Sequence, residues 1–106
     1  MADMPYTYIQ DVPIDGDVYR QIIERIGDRP VDGCLLHLCV QRPDGGLRYL
    51  DIWESEEACA RAFDDRIHPA VYSIFQEIGF KPEAEPDVER LELLDASGSM
   101  IAAGAR

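Results

Sequence analysis

Residues 33–53 read GCLLHLCVQRPDGGLRYLDIW, and the fold turns on them. Two runs rich in β-forming side chains flank Pro43-Asp44-Gly45-Gly46, a strong turn signal. The stretch therefore predicts an antiparallel hairpin, with strands over Gly33–Arg42 and Leu47–Trp53. Side chains alternate between the two faces of a strand. Leu36, Leu38 and Val40 are purely apolar and, with Leu50, Ile52 and Arg48 at the rim, suit a helix-covered face. Leu35, His37, Cys39, Gln41, Tyr49, Asp51 and Trp53 then look the other way. Directly opposed residues share a face. Setting Leu38 opposite Leu50 brings His37 opposite Asp51 and Cys39 opposite Tyr49. It also leaves Pro43-Asp44-Gly45 as a three-residue loop, with Pro and Asp in a type I turn and Gly45 in the left-handed position of the bulge. A register two residues away keeps the faces and sets His37 opposite Trp53 instead.

Working outward, Met4–Val12 alternates and reads as a strand. Asp15 can cap a helix carrying Val18, Ile22 and Ile26 at a four-residue spacing, with Tyr19 and Ile23 beside them; Gly27 ends it and Pro30 prevents its resumption. After the hairpin, Ser55 is a natural N-cap, and Glu56 and Glu57 suit the positive end of the next helix. Ala58, Ala62, Phe63, Ile67, Val71, Ile74, Phe75 and Ile78 mark its buried side. Pro69 should kink or split that helix near Ile67-His68, and Gly79 ends it. A polar, proline-rich connection over Lys81–Asp87 leads to a fourth strand over Val88–Asp95. The order β-α-β-β-α-β predicts a ferredoxin-like α+β fold, an antiparallel sheet with two helices on one face. The expected domain covers residues 1–95, and 96–106 read as a flexible C-terminal tail. The second sheet face needs a partner or must be unusually polar.

Composition narrows the function. The 106 residues carry 10 Lys plus Arg against 21 Asp plus Glu, a formal charge of −11. Nucleic acids and anionic membranes are poor partners for such a chain, because phosphate binding draws on clustered cations. The longest apolar run, Cys34–Val40, falls far short of the ~20 residues of a membrane helix, and the N-terminus has no signal-peptide pattern. Three Cys with no CxxC pair read as reduced thiols in a cytoplasmic protein. The two His and three Cys lack metal-ligand spacing, so no metal is expected. There is no phosphate loop, Rossmann glycine fingerprint, GxSxG or HExxH.

What remains is the aromatic and polar parity of the hairpin. His37, Asp51 and Trp53 lie together on it, and Tyr8 joins them if the first strand presents its aromatic parity there. A His–Asp pair orients an imidazole and makes it a candidate general base or proton shuttle. The alternative is a structural pair lining a dimer interface. His68, before Pro69, reads as a solvent-exposed helix residue; Arg66 has Asp64 and Asp65 to neutralise it; Glu83, Glu85 and Asp87 read as a solvated loop.

Residues Gly33–Gly79 resemble the central block of the antibiotic biosynthesis monooxygenase-like family of the dimeric α+β barrel superfamily. The resemblance rests on Gly33-Cys-Leu-Leu-His37, the Asp44-Gly-Gly turn and Asp51-Ile-Trp-Glu-Ser55, then on Phe63, Arg66, Ile67, Pro69-Ala70 and Ile78-Gly79. It implies a homodimer whose two sheets pack face to face into a barrel. It also implies oxidation of a small aromatic or polyketide substrate without a cofactor. In that chemistry His37 would be the base or shuttle, Asp51 its orienter, and Tyr8, Tyr49 and Trp53 the pocket walls. A related haem-degrading branch uses an Asn, a helical Trp and a downstream His. This chain has no Asn and places Ala62 and Tyr72 near the other two positions, which disfavours haem degradation. A non-catalytic homodimer that binds a small molecule, or is purely structural, is the competing expectation.

Overall fold

The computed structural model describes residues 5–98. Its elements are β1 (Tyr6–Val12), α1 (Gly16–Ile26), β2 (Cys34–Gln41), β3 (Leu47–Trp53), α2 (Glu56–Ala62), a π-helical turn (Phe63–Ile67), α3 (His68–Ile78) and β4 (Val88–Leu91). The four strands form one sheet in the order β2-β3-β1-β4, every neighbouring pair antiparallel. This is the expected ferredoxin-like α+β arrangement. The fourth strand is shorter than the sequence suggests, four residues ending at Leu91. Most of the tail expected over 96–106 lies outside the described residues.

The hairpin adopts the predicted register, with His37 opposite Asp51, Leu38 opposite Leu50 and Cys39 opposite Tyr49. The Gly45 amide donates to the Arg42 carbonyl at 2.9 Å, closing the turn, and the Arg42 amide donates to the Gly46 carbonyl at 2.7 Å. Gly45 sits at φ 92°, the left-handed conformation that the three-residue loop requires. Asp15 and Ser55 cap their helices by accepting from the amides of Val18 (2.9 Å) and Ala58 (3.0 Å). Each cap satisfies an amide that has no partner within its own helix.

Pro69 marks the change of helical form expected near Ile67-His68. It falls in the first turn of α3, where its missing N–H is tolerated. The preceding turn widens, with the His68 amide donating back to the Phe63 carbonyl, five residues away. Arg66 spans from this turn to the end of α1 and donates to the carbonyls of Ile26, Arg29 and Pro30 at 2.8–3.1 Å. It closes a helix C-terminus and is unavailable to an anionic ligand.

One expectation is inverted. The helices cover the aromatic and polar face of the sheet, not the apolar one. Tyr19 of α1 meets His37 and Tyr49, Phe63 of the π turn meets Trp53, and Cys59 of α2 meets Tyr8. Leu36, Leu38, Leu50 and Ile52 share the opposite face with Thr7 and Ile9 through their pairings. Equating the purely apolar parity with the covered one was the error, because polar groups tolerate burial once they bond to one another. A bulge between Cys34 and Leu36 also sets Cys34 opposite Trp53. Cys34 and Cys39 therefore share the covered face instead of pointing to opposite sides. Gly33 precedes the bulge at φ 84°, where a Cβ would stand 2.7 Å from that of Ala58.

Candidate functional site

Because the helices lie over the polar parity, the site forms within a single chain. A cavity of about 460 Å³ separates the sheet from α1, the π turn and α3. Apolar and aromatic side chains dominate its walls, among them Ile22, Trp53, Phe63, Val71 and Phe75. His37, Tyr49, Asp51 and Trp53 all line it. This volume and lining fit a small, mostly apolar molecule. The space borders His37 and Asp51, as expected of a site, but it lies beneath the chain's own helices and not between two sheets.

The polar centre is Asp51, only 2% exposed. Its Oδ1 lies 2.5 Å from His37 Nδ1. Its Oδ2 accepts from the Tyr8 hydroxyl at 2.7 Å and from Trp53 Nε1 at 3.3 Å. Register makes this set: Tyr8 of β1, Asp51 of β3 and His37 of β2 are directly opposed across three strands, and Trp53 follows two residues along β3. Three donors on one buried carboxylate compensate for the water it has lost. With Asp51 ionised, Nδ1 of His37 carries a proton and Nε2 is left as the free nitrogen of the neutral ring. Nε2 lies 2.7 Å from the Tyr19 hydroxyl. The result is a continuous chain of hydrogen bonds, Tyr19–His37–Asp51–Tyr8.

Tyr8 departs from its expected role. It is 1% exposed and lies behind Asp51, where it supports the carboxylate and is not among the residues lining the cavity. Burial, then the adjacent Asp51 charge, pushes its phenol far above the ordinary tyrosine value, so it remains a donor. Burial likewise pushes Tyr49 up, and pushes Tyr19 up to about 12. The thiols of Cys34 and Cys59 are pushed up to about 11, again chiefly by burial. They are protonated at neutral pH and are poor nucleophiles.

Three features went unread in the sequence. Tyr19 was counted on the apolar stripe of its helix, yet its hydroxyl completes the chain on His37. His68 is not a free surface residue: its side chain is 24% exposed, and its Nε2 lies 2.9 Å from Glu85 Oε1. The ring stacks on Tyr72 and meets Phe63 edge-on, on the cavity wall. Glu85 accordingly belongs to a segment that closes over the cavity, with Pro82, Ala84 and Pro86. Gln10 holds that segment by donating to the Pro86 carbonyl at 2.8 Å. For His68 the available signal was its place before Pro69, at the expected kink. Nothing local pointed to Glu85. Among the described residues no group of three or more His, Cys, Asp or Glu is placed to hold a metal ion.

No known family profile and no curated protein matches the chain. Solved structures do. A protein from Chloroflexus aurantiacus J-10-fl, provisionally named an antibiotic biosynthesis monooxygenase, superposes with a TM-score of 0.62 at 17% identity, covering 92% of this chain and 99% of that one. Rv0793 from Mycobacterium tuberculosis gives 0.59 at 19% identity, covering 89% of this chain and 99% of that one. A conserved protein from Methanosarcina mazei Go1 gives 0.56 at 12% identity, covering 84% and 92%. At these identities the likeness is one of fold. It supports, at that level, the resemblance to antibiotic biosynthesis monooxygenase-like proteins read from the residues. No helix among the described residues is long and apolar enough to cross a membrane.

Proposed function

We propose that this chain is a cofactor-independent monooxygenase-like protein that binds a small aromatic or polyketide hydroxyl compound between its sheet and its helices. His37 serves as the base, Asp51 orients it, and Trp53 and Tyr49 form walls against which an aromatic ring stacks. The observation that carries this reading is the buried Asp51 carboxylate holding a solvent-accessible His37 at the edge of an apolar cavity. Removing the ligand's hydroxyl proton leaves an electron-rich anion, and a dry, preorganised site favours that step. The anion then reduces dioxygen. One oxygen atom stays on the ring as a new carbonyl and the other leaves as water, so no outside reductant is required.

The working unit is proposed to be a cytoplasmic homodimer. The face away from the helices offers the half-buried Ile9, Leu36, Leu38 and Leu50, with Val40 51% exposed and Leu91 36% exposed at its margins, while Ile52 on the same face is already buried within the chain. Such a face suits a second copy of itself, closing two sheets into a dimeric α+β barrel. The surfaces that meet are then the apolar ones, and each chain keeps its own cavity.

Oxygen consumption with a panel of polycyclic phenols tests the reading. Wild-type protein should consume oxygen and His37→Ala should not, with an unchanged circular dichroism spectrum. A variant that loses only thermal stability would remove the catalytic role and leave a binding or structural homodimer.

A further inference from the structure

The free nitrogen of His37 does not face an empty cavity, because the Tyr19 hydroxyl already occupies it at 2.7 Å. We infer that Tyr19 is the residue that touches the ligand's acidic hydroxyl and relays its proton to His37. This inference rests on the acid–base reading above and assigns it a third member.

The geometry supports the relay from both ends. Asp51 fixes the proton on Nδ1, so the neutral imidazole can only accept at Nε2, and Tyr19 must donate there. The phenolic oxygen then has lone pairs left to accept a second hydrogen bond. Tyr19 lines the cavity beside His37, so an incoming hydroxyl can reach that oxygen. Two rings hold Tyr19 in place, His37 at 6.1 Å and Tyr49 at 5.7 Å between centroids. The other phenol in the chain of hydrogen bonds, Tyr8, is sealed behind Asp51 and cannot substitute. Cys39 also borders Tyr19, but its thiol is a weak hydrogen-bonding group, and burial raises its pKa further. A relay does not require ionised Tyr19. Burial disfavours its phenolate, which suits a group that gives up one proton as it receives another.

The step balances without any change of oxidation state. The ligand O–H bond breaks and its proton passes to Tyr19 Oη. The original Tyr19 proton passes to Nε2 of His37. The products are a ligand oxyanion, hydrogen-bonded by the re-formed Tyr19 phenol, and an imidazolium between Tyr19 and Asp51. The buried carboxylate stabilises that imidazolium, the role an aspartate plays behind a catalytic histidine.

4-Nitrophenol is the probe, because its phenolate is yellow and its phenol is not. Wild-type protein should bind it and shift its ionisation to lower pH. Tyr19→Phe should bind it with affinity within about threefold, yet reduce the ionised fraction of bound probe at least tenfold. His37→Gln should do the same. In nitrogen-15 NMR, His37 of the Tyr19→Phe protein should keep its proton on Nδ1, showing that the Asp51 contact survives. A Tyr19→Phe protein that ionises the probe as wild type does would make Tyr19 a mere plug and overturn the relay. If wild type itself binds the probe without ionising it, or does not bind it, the acid–base function falls first and the relay with it.

Discussion

The two faces of one four-stranded sheet divide the chemistry of this protein. One face carries Tyr8, Gln10, His37, Tyr49, Asp51 and Trp53, and the helices lie over it. The other carries Ile9, Leu36, Leu38, Leu50 and Ile52, and among the described residues the helices lie on the opposite side. By hydropathy the covers seem exchanged. The covered face is stable because its polar atoms bond to each other: Asp51 has three donors, and Gln10 reaches the Pro86 carbonyl. The other face also carries Thr7 and, opposite Ile9, Glu89, and at its margin Asp11 pairs with Arg48 at 2.7 Å and with Arg42 at 3.4 Å. Apolarity therefore shows which surface seeks cover, not which partner supplies it. The chain's own helices lie over the cavity that borders His37 and Asp51, and the plain surface is the one proposed to meet a second copy.

Asp51→Ala should break the covered face most severely. It leaves the Tyr8 hydroxyl, Trp53 Nε1 and His37 Nδ1 without their acceptor. Each buried donor left without its acceptor costs about 1–3 kcal/mol. Urea unfolding followed by Trp53 fluorescence should show that loss. A cost below about 1 kcal/mol would mean that these donors find water, and that the covered face is not sealed.

Leu38→Asp tests the other face. It should weaken self-association by about 2–3 kcal/mol, roughly 100-fold in Kd. Sedimentation velocity should show monomer where wild type shows dimer, and the helical signal should be retained. Monomeric wild type at high concentration would show that the uncovered face has some other occupant. Leu50→Ala, one residue from Asp51, sharpens the contrast. In dilute protein it should cost only about 1 kcal/mol, since a half-buried leucine loses part of its transfer energy. A cost near 4 kcal/mol would place Leu50 in a closed core instead.

The same contrast explains what the sequence revealed. Register was legible because two constraints coincide: the apolar parity aligns Leu38 with Leu50, and Pro43-Asp44-Gly45 permits only a short loop. The caps at Asp15 and Ser55 were legible because each is a local event three residues long. Which face the helices cover is set by how connections of several residues cross over the sheet, and parity carries no record of that. His68–Glu85 and Tyr19–His37 join residues 17 and 18 positions apart on different elements, beyond the reach of any local pattern. The irregularity near Ile67-His68 was legible because an interior proline normally costs a helical hydrogen bond. Widening the turn at Phe63–Ile67 places Pro69 at the start of a new segment.

The smallest effect expected is a pH dependence, and it belongs to the covered face alone. Tyr8, Tyr19 and Tyr49 are all pushed above the ordinary value of 10.0, chiefly by burial, Tyr19 to about 12. In the unfolded chain these phenols ionise near pH 10, whereas in the folded protein they hold their protons longer. Between those limits the unfolded state binds fewer protons, so stability is intact below about pH 10 and declines as pH rises through the folded values. An ultraviolet titration should therefore show delayed tyrosinate formation in the native protein and ordinary behaviour in concentrated urea. If every tyrosine ionised together near pH 10 in the native protein, water would have free access beneath the helices. The cavity would then be too wet for the low-dielectric acid–base chemistry proposed for this face of the sheet.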